Sequence, residues 1–333
     1  MVQFSIICEF EYEEPIASLD IADLNGNGIE DIILTTSKGA LRVLNYSEQE
    51  GFNEIYRLEN MSPIVTLGHG RIISQDSYDF VLGHEDDCMR IVTYKDNEME
   101  ISSTIPLGSM PTSICVLNVV GDPSAEVVVS TKDKTLRCYG WFDVALDKLA
   151  HKVIDQPTYM MMPLNIVGVP YSRIIFGDDT GFVYIYQYAD DRLHEISKAK
   201  AKGNVRIVAS GDITGNTTED IVTVSDGRNI ALFRYEHPEF KRVDTLKASS
   251  PITSVRISEF LPDYDGKQIL LAHDSSTIAL LNYEGNRLNP ITSTRTAKKS
   301  VGSFVAHGNL TGNNPKEIVQ AVGNSLYLLK IEE

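Results

Sequence analysis

One stretch has the residue types and spacing of a loop for a hard cation. The run Asp23-Leu24-Asn25-Gly26-Asn27-Gly28-Ile29-Glu30-Asp31 puts oxygen-bearing side chains at its first, third, fifth and ninth positions. Calcium prefers such oxygens, and a tight loop supplies them from alternate side chains. Glycine at the sixth position allows the sharp turn, and the seventh offers its carbonyl. The expected ligands of one structural Ca2+ are therefore Asp23, Asn25, Asn27, the Ile29 carbonyl and Asp31. A helix-flanked EF-hand needs glutamate at the twelfth position, where Leu34 stands inside an expected strand, so this loop joins two strands. Only two ligands are carboxylates, which predicts modest affinity. The alternative is a polar turn whose Asn and Asp side chains cap the backbone without metal.

Weaker copies recur downstream. One has Asp212, Thr214, Asn216 and Asp220, with Thr217 in place of the second glycine. Another has Asn309, Thr311, Asn313 and Glu317, and a third keeps Asn118, Asp122 and Glu126 with Val120 between them. Three more begin on Arg71, Asn165 and Phe260 and have lost the pattern. His84 and His273 invite a catalytic reading if either pairs with an acid. Asp178, Thr36, Thr131 and Ser225 occupy matching places, and no Ser or Cys nucleophile motif accompanies them, so turn-flanking residues that satisfy the backbone are expected. The run Tyr159-Met160-Met161-Met162-Pro163 aligns with a core strand, so packing is expected over an adaptable methionine surface.

The elements that position these residues repeat. Asp31-Ile32-Ile33-Leu34 recurs as Asp79-Phe80-Val81-Leu82, Glu126-Val127-Val128-Val129, Arg173-Ile174-Ile175-Phe176, Asp220-Ile221-Val222-Thr223, Gln268-Ile269-Leu270-Leu271 and Glu317-Ile318-Val319-Gln320. The anchors lie 47 to 49 residues apart, so seven units account for essentially all 333 residues. Fifteen residues after six anchors stand Tyr46, Tyr94, Trp141, Tyr188, Tyr235 and Tyr283; the seventh unit, ending Leu326-Tyr327-Leu328-Leu329-Lys330-Ile331, is one residue short. Each unit reads as four short strands separated by Gly/Asp/Ser/Asn turns, and no helical period competes. The fold predicted is all-β: a seven-bladed β-propeller with four antiparallel strands per blade. The blades run over about 14–60, 61–107, 108–154, 155–201, 202–247, 248–294, and 295–333 plus 2–12. The last unit has three strands, and the orphan segment Gln3–Phe10 is expected to close it as the outer edge. An open, capped β array is the alternative, and no capping repeat is visible.

The stretch from Asp20 to Ile33 resembles the FG-GAP (VCBS-type) repeat, which forms the propeller of integrin α-subunits. The period agrees over all seven units, while the loop motif is intact once and the Phe-Gly and Gly-Ala-Pro marks are absent. Units such as the one from Glu126 to Trp141 resemble intracellular members, the Bardet–Biedl complex and kaptin-type propellers. That resemblance implies a subunit or adaptor in a larger complex, and for the loop it implies calcium.

Composition limits the partners. Forty-six acidic against 30 basic residues give a formal net charge of −16. This field disfavours nucleic acid and anionic membrane surfaces. No run of apolar residues is long enough to insert in a membrane. Cys8, Cys88, Cys115 and Cys138 form no CxxC pair, and the start from Met1 has no basic segment, so a cytoplasmic setting without a signal peptide is expected. The function expected is non-catalytic protein binding. An enzyme or carbohydrate-binding propeller should carry an anomalous loop of Asp, Glu or His, and the even spacing shows none. An integrin-like adhesion module should carry a signal peptide and disulfides.

Overall fold

The structure is a computed structural model and describes residues 2–96, 98–236, 239–297, 303–312 and 317–332. Its strands form seven four-stranded antiparallel sheets, as the repeat predicts. Blade 1 shows the plan: β2 (Ile16–Ala22) innermost, then β3 (Asp31–Thr36), β4 (Leu41–Ser47) and the outer β5 (Gly51–Leu58). Blade 7 holds β26 (Ser303–Gly308), β27 (Glu317–Val322) and β28 (Ser325–Glu332). Its outer strand is β1 (Gln3–Glu11), in register from Gln3 opposite Glu332 to Glu11 opposite Ser325. The N-terminal segment therefore closes the ring.

Second strands such as Asp31–Thr36 and Glu126–Thr131 are buried at every residue, since each is covered by a blade on both faces. That is why they read as unbroken β-branched runs and not as alternation. The apolar core is divided among the seams. Seven clusters, each built from two neighbouring blades, fill the ring among the described residues.

The anchor residues have a common task. Asp79 Oδ2 accepts the Ile72 and Ile73 amides, both at 2.9 Å. Glu126 accepts those of Val119 and Val120, Asp220 those of Ile213 and Thr214, and Gln268 those of Phe260 and Leu261. Each anchor thus satisfies two buried N–H groups of the loop entering its own strand, which would otherwise cost a lost hydrogen bond apiece. Arg173 departs from this. With no acceptor it cannot cap, and it turns to blade 5, donating to Tyr235 Oη at 2.9 Å and stacking on that ring.

The six aromatics are each the penultimate residue of a third strand, equivalent as predicted. Each faces a large side chain across the hairpin: Phe52, Met99, Leu146, Leu193, Phe240 or Leu288. Tyr94 and Tyr235 are buried, whereas Trp141 is only half-buried. Every outer strand also carries a bulge at the same place, at Ile55, Ser102, Leu149, Ile196, Val243, Ile291 and Ile7. Bulges twist exposed edges away from further strand pairing.

Candidate functional site

The blade 1 loop connects β2 to β3 and is held by its own side chains. Asp23 Oδ1 accepts the Gly26 and Asn27 amides at 2.7 and 3.1 Å, and Oδ2 accepts that of Gly28 at 2.8 Å. Asn25 Oδ1 takes the Asn27 amide and Asn27 Oδ1 that of Ile29, at 3.0 and 2.7 Å. Gly26 and Gly28 adopt φ of +74° and +82°, which other L residues reach only with strain. The predicted residues are therefore gathered in one loop. The chain uses them in the capping manner of a polar turn, and one carboxylate oxygen can still serve both an amide and a cation.

Asp31 tests whether a cation fits. It is buried at the foot of the loop, and its pKa is pushed up to about 6, first by burial and then by the charge of Asp23, against one amide bond from Leu24. The charge of Asp23 thus opposes ionisation of Asp31, a repulsion that a divalent cation would relieve. Blade 5 repeats the loop with Gly215 and Thr217 at φ of +69° and +68°. There Arg234 Nε already stands 3.4 Å from Asp220, so the positive charge is built in. In blade 7, Lys330 lies 3.9 Å from Glu317, and Asn313 lies outside the described residues. Among the described residues, only the blade 1 loop combines the full ligand set with an acid pair that no cationic side chain meets. Among the described residues, no group of three or more His, Cys, Asp or Glu side chains is arranged for a metal. The ligands available here are two carboxylates with amide and carbonyl oxygens.

The loop also reaches the closing blade. The Glu30 amide donates to the Asn309 carbonyl at 2.8 Å, Glu30 Oε2 accepts the Asn309 amide at 2.6 Å, and Asn309 Nδ2 donates to the Gly28 carbonyl at 2.8 Å.

No protein-family model and no curated protein matches this chain.

A second constellation lies in the central channel, a cavity of about 600 Å³ lined by the innermost strands. Asp20 of blade 1 faces His69 Nε2 of blade 2 at 3.3 Å and Arg256 Nη2 of blade 6 at 3.6 Å. His69 Nδ1 lies 2.7 Å from Tyr78 Oη. A neutral ring satisfies both contacts by donating from Nε2 to Asp20 and accepting from the Tyr78 hydroxyl at Nδ1. Burial opposes the Asp20 charge, yet Arg256 and then His69 hold its carboxyl well below the usual range. Both His69 nitrogens are thereby engaged. Sequence reasoning missed this group because its members stand far apart along the chain. Their one shared mark is an ionisable residue on an innermost strand.

His84 and His273 do not meet an acid. Each is buried, with Nδ1 at 2.7 and 3.1 Å from the Ser62 and Ser250 carbonyls, and burial pushes both imidazoles below their ordinary pKa. They serve the backbone, as expected. The methionine run packs into both seams of blade 4: Met161 sits in the core shared with blade 3, Met160 and Met162 pack against the core shared with blade 5, and all three border the channel.

Proposed function

We propose that this chain is a non-catalytic protein-binding platform, an adaptor subunit of a larger cytoplasmic complex, with one structural calcium ion in blade 1. The observation that carries the binding reading is where apolar side chains meet solvent. Val120, Phe142, Val144 and Val167 are 46, 51, 86 and 74% exposed. Three stand on turns and Phe142 ends a strand, all at the same end of their blades: Val120 and Val167 between the first and second strands of blades 3 and 4, Phe142 as the last residue of the third strand of blade 3, and Val144 in the turn that follows it. The two inner loops are tied by the Ser172 amide donating to the Asn118 carbonyl at 2.7 Å. Other exposed apolar side chains are spread over the remaining blades, such as Ile6, Ile101 and Val153, but these four share one end of two adjacent blades, which suits a protein partner.

Supporting the cytoplasmic setting, all four cysteines are free, and Cys115 and Cys138 are buried with thiols pushed up to about 12. The calcium reading rests on the Asp23–Asp31 pair and on the likeness to FG-GAP loops. Asp23, Asn25, Asn27, Asp31 and the Ile29 carbonyl would hold the ion, whose charge would brace the loop.

Affinity capture from native lysate tests the reading. A Val144→Asp/Val167→Asp double variant should lose partners that the parent retains. Val153→Asp, at the other end of the blade 3 outer strand, should keep them. Identical partner sets in all three proteins would reject this face.

A further inference from the structure

The repeats allow one seam of the ring to serve as a control for another. Three residues after each anchor, the second strand faces Arg42 in blade 1, Arg90 in blade 2 and Arg137 in blade 3. Each arginine is half-buried and meets a carboxylate of its own blade. Arg42 Nη1 lies 2.8 Å from Glu54, Arg90 Nη2 2.5 Å from Asp86, and Arg137 Nη2 3.0 Å from Asp133. Arg42 also stacks at 5.7 Å on Tyr12, which comes from the preceding blade, so its guanidinium sits in the seam between blades 7 and 1.

Blade 4 breaks the series. The equivalent residue, opposite Phe176, is Tyr184. The acid remains. Glu195 faces Tyr186 just as Glu54 faces Leu44, two residues beyond the position in question. Blade 4 adds Asp178 at the end of its second strand, where Thr36, His84 and Thr131 stand in blades 1 to 3. Where blade 1 holds a guanidinium, the seam between blades 3 and 4 holds a cavity of about 260 Å³. Its walls are Phe176, Tyr184 and Tyr186, with Asp155, Asp178 and Glu195 as acids and Lys152 as the one base. Asp178 is committed, accepting from the Tyr184 hydroxyl at 3.0 Å and from Thr180 and Phe182. Asp155 and Glu195 are exposed at the rim, where Lys198 meets Glu195 at 3.3 Å. The aromatic strip already draws cations: Lys198 Nζ lies 5.8 Å from the Tyr184 ring centre, and Lys200 Nζ 4.0 Å from that of Phe182. Burial first, and then the charges of Glu195 and Asp155, push the hydroxyl pKa of Tyr186 up to about 12.

We propose that the cavity between blades 3 and 4 binds a guanidinium group from outside, the arginine side chain of a partner protein, in the place that Arg42 fills between blades 7 and 1. A planar guanidinium matches this seat because it can stack on a ring and give two parallel hydrogen bonds to one carboxylate. The source of the arginine rests on the protein-binding reading; the seat itself does not.

The test uses a small probe on the whole chain. Nα-acetyl-arginine methylamide should bind in an NMR titration, with shifts at Tyr184 and Tyr186. The citrulline counterpart, equal in shape but neutral, should bind roughly tenfold more weakly or not at all. Asp155→Asn and Glu195→Gln, both at exposed positions, should each weaken the arginine probe several-fold. Glu11→Gln, elsewhere on the surface, should not. Tyr184→Arg, which restores the residue of blades 1 to 3, should fill the seat and abolish binding. Free arginine, with its own charged backbone groups, should bind less well than the capped probe. No binding of the capped probe overturns the proposal, as does equal binding of citrulline or an equal loss in Glu11→Gln. Tighter binding of free arginine would replace the partner side chain with the free amino acid. None of these readouts involves Val144 or Val167, so failure here leaves the docking face standing and the converse also holds.

Discussion

Arg256 Nη2 of blade 6 lies 3.6 Å from Asp20 Oδ2 of blade 1, although blade 7 stands between those blades. The same nitrogen also donates to the Leu19 carbonyl at 3.3 Å. The contact thus links the two neighbours of the blade that closes the ring. A double-mutant cycle of Asp20→Asn and Arg256→Leu should show a coupling of about 1 kcal/mol in urea unfolding at neutral pH, since the pair still faces the open channel. The folded state holds the Asp20 pKa below its ordinary value, so its contribution is complete above that value and declines as pH falls below about 4. A coupling that stays constant down to pH 3 would contradict this assignment.

Calcium should act on stability through the blade 1 loop. An ion that binds only the folded state adds about 2.7 kcal/mol at a hundredfold excess over Kd. Melting in chelator and then in millimolar calcium should show a rise in Tm for the parent and none for Asp31→Ala. Asp220→Ala should melt lower in both conditions, because it leaves the Ile213 and Thr214 amides unpaired, yet keep the calcium increment. Isothermal titration without heat, together with a flat Tm, would leave the loop as a metal-free turn.

Without calcium, Asp31 should make the protein less stable as pH rises. Its folded pKa of about 6 exceeds the unfolded value, so the native state binds the proton more tightly. The penalty is absent below about pH 4, grows between about pH 4 and 6, and reaches roughly 3 kcal/mol at most above that. His84 and His273 act oppositely, since their depressed pKa values cost stability as pH falls through the range of an ordinary histidine. The measurable quantity is therefore the stability difference between parent and Asp31→Asn in chelator. It should shift in favour of the variant from pH 4 to 7, and a difference independent of pH would refute the acid-pair account.

The aromatic series should divide by burial. Tyr94→Ala empties a buried place and should cost about 3–5 kcal/mol, near the range for large core rings. Trp141→Ala should cost about 2 kcal/mol, because the indole is half-buried against Leu146. Urea midpoints decide the order, and equal losses would mean that position on the strand, not burial, sets the energy.

The blade plan was legible because each repeat must solve the same backbone problem. A loop entering a buried strand presents two N–H groups, so an acid or amide recurs at Asp79, Glu126, Asp220 and Gln268. Arg173 kept the spacing but not the chemistry, and its role could be found only from its partner Tyr235, 62 residues away. The blade 1 loop was legible for a local reason, since the hydrogen bonds of its Asp23, Asn25 and Asn27 side chains join residues within five positions of one another. Asp20, His69 and Arg256 were not, because the channel gathers one residue from each of three distant strands. The outer-strand bulges carry a faint mark, a branched aliphatic at Ile55, Leu149, Ile196, Val243, Ile291 and Ile7, which Ser102 breaks and which an ordinary strand residue would also give.

The pairing of β1 with β28 sets the order in which this chain can finish folding. The bond from Tyr327 Oη to Glu9 spans 318 positions, whereas the other strands of every blade meet neighbours in sequence. Bringing such distant segments together costs about 5 kcal/mol of loop entropy, and that cost falls on a single late event. Until then β28 presents an unpaired edge and β1 is free. At high concentration the β1 of one chain can reach the β28 of another before it reaches its own. The two rings then close by exchange, with the same register from Gln3 to Glu11. Dilute refolding favours the monomer, and concentrated refolding favours a dimer that holds every contact of the native blade.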